Sequence, residues 1–146
     1  MPISIYLLLP VLCLASWMDW KERRIPNSLL FPSLILAFLL NYIILGPSGL
    51  LHSLSGTLIG FALLIVPFLL GGIGAGDVKL LMVIGSFGGA YFVLYSFIAG
   101  AIIGGIIALI IYIFSKIKQN QISSLPYGIP LSLGTLTYVL LEHWRL

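Results

Sequence analysis

The sequence predicts an all-α membrane protein, a bundle of about six transmembrane helices forming one polytopic domain over residues 1–146. Composition is the first reason. Hydrophobic residues make up 60% of the chain and charged residues only 8%, where a soluble domain carries about 25% charged. Mean hydropathy is +1.18, so there is too little polar surface to coat a water-soluble globule. Length is the second reason. A spanning helix needs ~20 mostly apolar residues, so six of them use about 120 and leave about 26 for connections. A soluble protein, a disordered chain and a large extramembrane domain are all excluded.

The elements follow in order. Ile3 to Met18 is apolar but has no Lys or Arg before Lys21. A signal peptide needs a basic flank there, so this run is expected to be a retained first helix. Asp19-Trp20-Lys21-Glu22-Arg23-Arg24 is the most charged segment, and Ile25-Pro26-Asn27 follows it. A second run covers Ser28 to Leu45, with Pro26 suited to its first turn, where a missing N–H costs nothing. Gly46-Pro47-Ser48-Gly49 signals a turn before a third run over about Leu51 to Leu70. Gly71 to Gly76 is glycine-rich and ends at Asp77. The fourth run starts near Lys79 and fades near Tyr95; the fifth covers about Ile98 to Phe114. Ser115 to Ser124 is a polar loop, and a sixth run covers about Pro126 to Leu141.

Lys/Arg bias sets the orientation. Loops one, three and five hold Lys21, Arg23, Arg24, Lys79, Lys116 and Lys118, and the other side holds only Arg145. The basic side is therefore cytoplasmic, with both termini outside. The net charge of +3 has this topological cause. Seven basic residues scattered over loops form no nucleic-acid stripe. Cys13 is the only cysteine, which excludes an intrachain disulfide and a Cys-rich zinc site. His52 and His143 lack ligand spacing, so no metal and no cofactor is expected.

Of the four acidic residues, Glu22 sits among bases and Glu142 at the outer end. Asp19 ends the first helix and Asp77 opens the fourth, both at the cytoplasmic boundary. Carboxylates in or near hydrocarbon are costly and mark function. Two close aspartates share a proton: the ionised one can take a proton from water, the protonated one can donate to a carbonyl. That chemistry suits amide hydrolysis. Gly74 and Gly76 remove side chains where an extended substrate backbone would approach. Each aspartate also has a plainer reading: Asp77 as a helix cap and Asp19 as a charge balance for Lys21 or Arg23.

Three segments, in order, resemble the type IV prepilin peptidases, the GxGD-type membrane aspartic proteases. They are Asp19 through Asn27, Gly74-Ala75-Gly76-Asp77-Val78-Lys79-Leu80, and Leu125-Pro126-Tyr127-Gly128-Ile129-Pro130. The resemblance implies cleavage of a basic prepilin leader after Gly at the cytoplasmic face of the cell membrane, with Asp19 and Asp77 as the catalytic pair. Pro26, Asn27, Lys79, Pro126, Tyr127 and Gly128 match positions in its motifs. Lys79 is read either as tuning the field or holding a loop, or as an interfacial lysine. Pro126-Tyr127-Gly128 is read either as shaping a substrate groove or as a turn with an interfacial aromatic. The chain lacks the cysteine-containing cytoplasmic segment of the long forms. It resembles the short form serving Flp/Tad-type pili, and peptidase without N-methylation is expected. Expected partners are a prepilin and membrane lipids, the pilin's apolar helix docking within the bilayer and its basic leader lying near anionic headgroups.

Three other functions compete. A small ion- or proton-coupled transporter would use both aspartates, but no inverted repeat or mid-span polar path accompanies them. A structural subunit of a secretion machine would need neither. A presenilin-like intramembrane protease would share the chemistry, but the Asp19 to Ile-Pro-Asn spacing favours the prepilin type.

Overall fold

The computed structural model describes residues 3–22, 24–118 and 127–144, and its described elements are all helices. They are α1 (Ile3–Glu22), α2 (Asn27–Leu45), α3 (Pro47–Leu69), α4 (Ala75–Lys118) and α5 (Gly128–His143). Arg23, Leu125, Pro126 and Arg145 lie outside the described residues. Among the described residues, Asn27–Leu45, Pro47–Leu69 and Ala75–Ile111 are long and apolar enough to cross a membrane.

The turn between α2 and α3 is shorter than the sequence predicts. Gly46 alone makes it, at φ 65°, and Pro47 already occupies the first turn of α3. Pro26 sits one residue earlier than expected, as the extended residue preceding α2, where its carbonyl accepts the Leu29 N–H at 3.1 Å.

The largest departure is in α4. The expected boundary near Tyr95 to Ile98 is helical, and the interruption lies instead at Gly89, with φ 81° and ψ −174°. The packing partners show that the chain reverses there. Before Gly89 the helix runs against α3, Gly60 meeting Leu81 and Gly56 meeting Gly85. After it the helix runs antiparallel to α5: Phe92 packs edge-on against Tyr138 with ring centroids 5.3 Å apart, and Gly104 faces Pro130. The apolar run is continuous through this region, so composition carries no boundary. A side chain at Gly89 would collide with the His52 ring, and its φ is one that L side chains rarely adopt.

A reversal inside an apolar bundle frees backbone carbonyls that lipid cannot satisfy. Asn41 supplies the donor. Its fully buried amide gives hydrogen bonds to Ser86 O at 2.9 Å and Phe87 O at 3.3 Å, and a third to Ser53 Oγ at 2.8 Å.

The core gathers around the first part of α4. Leu80, Leu81, Val83, Ile84 and Phe87 are buried, as a helix surrounded on all sides must be. Leu8, Leu12 and Ala15 of α1, Leu30 and Ala37 of α2 and Leu64 of α3 pack round it. The later part of α4 instead exposes Ile98, Ile102, Ile106 and Leu109. One end of the bundle thus collects the end of α1 and the beginnings of α2, α4 and α5.

Candidate active site

At that end lies a cavity of about 530 Å³, within the usual size of a ligand site. It is lined by Asp19, Asp77, Pro26, Asn27, Gly74, Gly76 and Lys79, all singled out in the sequence. Tyr127 is exposed and lies outside this lining.

Asp77 is the third residue of α4. Its Oδ2 accepts the Gly74 N–H at 3.2 Å, as a carboxylate in a capping box reaches back to the residue before the helix. The capping role that competes with the functional one is therefore real, and it coexists with a place on the cavity wall. Asp19, in the last turn of α1, is held from across the molecule. Its Oδ2 accepts the Gly128 N–H at 3.0 Å, the first amide of α5, where the helix dipole favours negative charge. Asp19 is 5% exposed and Asp77 8%, so neither is an ordinary solvated surface carboxylate. Both line the same cavity.

The glycines have structural causes beyond an open approach for substrate. A side chain on Gly128 would come within 2.7 Å of Asp19 Oδ2 and 3.1 Å of Ile25 Cδ1. One on Gly76 would press on Ile25 Cβ at 3.3 Å. Ile25 is buried between these two glycines and packs the α1–α2 link against the starts of α4 and α5. Its place in Ile-Pro-Asn was visible in the sequence; that it wedges between two glycines was not.

Lys79 Nζ donates to Asn27 Oδ1 at 2.8 Å and lies 5.4 Å from the centre of the Phe31 ring. This bond ties the start of α4 to the first turn of α2. Glu22 and Arg24 also line the cavity, so its charge is mixed, unlike the basic face predicted from the loops. Among the described residues no cluster of three metal-ligating side chains occurs.

The comparisons with known proteins bear on this end of the bundle. Residues 6–109, well over half of the chain, match the model of the type IV leader peptidase family. The chain belongs to the type IV leader peptidase family. It is accordingly a peptidase, a hydrolase of the multi-pass membrane kind, with prepilins as the general substrate class. The matched segment includes Asp19, Asn27 and Asp77 and ends before Gly128. No curated protein and no solved structure matches the chain.

Proposed function

We propose that this leader peptidase is an aspartic endopeptidase with Asp19 and Asp77 as its catalytic pair. It removes the basic leader of Flp-like type IV prepilins after Gly at the cytoplasmic face of the cell membrane. The observation that carries the reading is the meeting of two buried carboxylates on one cavity, each fixed by a backbone amide. Fixed carboxylates suit proton transfer, because a catalytic acid or base must lie within hydrogen-bond reach of its proton.

The pair shares one proton. The ionised aspartate takes a proton from a water, whose oxygen attacks the scissile carbonyl carbon. The protonated aspartate gives its proton to the carbonyl oxygen. Collapse of the tetrahedral intermediate breaks the C–N bond: the first aspartate gives its proton to the leaving amine, and the second takes a proton back from a hydroxyl of the intermediate, which leaves as the carboxylic acid and restores the singly protonated pair. No metal and no cofactor takes part, and N-methylation is not expected of this chain. Glu22 gives a basic leader a carboxylate partner at the cavity rim. With α4 counted as two of about six spans, the Lys/Arg bias of the loops supports a cytoplasmic position for this end and both termini outside.

The test is cleavage of a Flp-type prepilin in liposomes, read as product mass. The leader is expected to leave after its Gly, and Asp19→Asn or Asp77→Asn each to abolish the product. A folded protein that cleaves no prepilin sinks the proposal, and proton or cation flux would then be measured for the transporter alternative. A methylated product would overturn the exclusion of methylation.

A further inference from the structure

An apolar track leads away from the cavity along α2. The cavity shares Lys79 with a small apolar pocket between α2 and α4, lined also by Phe31, Leu34 and Met82. That pocket shares Leu34 with an apolar groove of about 430 Å³ lined by Ile35, Phe38 and Tyr42. Phe31, Leu34, Phe38 and Tyr42 recur three or four residues apart, so they form one stripe down the helix. From Phe31 to Tyr42 the stripe is about 17 Å long, enough to seat about 11 residues of a second helix.

We infer that this stripe is the docking surface for the apolar membrane helix of the substrate, on the far side of the scissile bond from the leader. This rests on the peptidase reading above. Continuity with the cavity supplies the argument. A substrate chain continues on both sides of a scissile bond at Asp19 and Asp77, and the pocket at Phe31 and Leu34 adjoins the cavity on an apolar side. A basic leader cannot lie on Leu34, Ile35 and Phe38, because an unpaired charge is costly in hydrocarbon. The segment entering the groove is therefore the apolar one, and it must be helical to satisfy its own backbone there. Ile35 and Leu39 are 61% and 53% exposed, so nothing else in the described chain covers the surface. The later part of α4 is as apolar and as exposed, but the shared lining residues do not connect it to the cavity.

Cross-linking tests this. Cys13, exposed on α1, is first replaced by Ser. Single cysteines are placed at Ile35 and Leu39, and as controls at Ile102 and Ile106, which are 59% and 55% exposed on α4. A Flp-type prepilin carries single cysteines along its apolar helix, in proteoliposomes. Cross-links are expected from positions 35 and 39, with partners shifted about four residues along the substrate, and not from 102 or 106. A second measurement uses Ile35→Trp with Leu39→Trp, which fills the groove: KM is expected to rise at least tenfold with kcat unchanged. Cleavage that persists with no cross-link from 35 or 39, with equal cross-linking from 102, or with unchanged KM in the tryptophan variant overturns the inference and leaves the groove to lipid. Failure of the parent protein to cleave any prepilin overturns the peptidase reading, and this inference with it.

Discussion

Asp77 is held by its own loop, three residues away, whereas Asp19 is held by an amide 109 positions away. The first bond forms whenever the start of α4 forms. The second exists only when α1 and α5 are docked and Gly128 is bare of a side chain. One carboxylate is thus preset by local structure, and the other is set by the assembled bundle. Any event that loosens α5 would release Asp19 and leave Asp77 in place.

The largest effect should ignore this asymmetry. Asp19→Asn and Asp77→Asn are each expected to lower prepilin cleavage by about 10³-fold or more, because each removes a proton-transfer group. Product mass from purified variants checks this. A tenfold difference between the two would mean that the pair does not act as a unit.

The next effect should expose the asymmetry. Alanine at Gly128 puts a methyl 2.7 Å from Asp19 Oδ2, and alanine at Gly74 puts one 3.3 Å from Asp77 Oδ2. The first forces a buried carboxylate aside; the second asks for a shift of tenths of an ångström. Misplacing a reacting group by ~1 Å costs about 10²-fold. Gly128→Ala is therefore expected to lose about 10²-fold in kcat, and Gly74→Ala only about threefold, by the same reasoning. Thermal melts in detergent should show both variants folded. Equal losses would mean that Asp19 is not held in place through Gly128.

The same contrast marks what could be read from the sequence. Apolar runs and Gly46 placed α1, α2 and α3, because local composition and dihedral preference govern where such helices start and stop. The cluster from Asp19 to Asn27 and the glycines before Asp77 named most of the cavity lining. The reversal at Gly89 was hidden, because the run from Leu80 to Phe114 is apolar throughout and holds several glycines. Side chains at Gly88 and Gly89 would both collide, with Phe92 and His52 respectively, and it is the positive φ of Gly89 that marks it as the break. Ile25 was hidden likewise: its wedge between Gly76 and Gly128 joins three distant segments, and no spacing rule reports that.

The smallest expected effect concerns the tie between the two starting turns. Lys79 joins α4 to α2 through Asn27 Oδ1, and this bond is solvent-exposed. A hydrogen bond of this kind contributes about 0.5–1.5 kcal/mol, and 1.4 kcal/mol is about tenfold. Lys79→Met keeps an unbranched apolar side chain and removes the Nζ that donates to Asn27 and lies over the Phe31 ring, so cleavage should fall by about tenfold at most. Asn27→Ala should fall by a similar factor. The double variant should be little worse than either, since both remove one bond, whereas independent roles would multiply. Lys79→Arg keeps charge, reach and donors, and should recover most of the activity. A lysine that merely sits at the interface would behave otherwise: Asn27→Ala would leave it untouched, and the two losses would add. The double-variant cycle on kcat/KM therefore decides whether Lys79 is a positioning residue that couples the Asp77 turn to the link carrying Asp19 or only an interfacial charge.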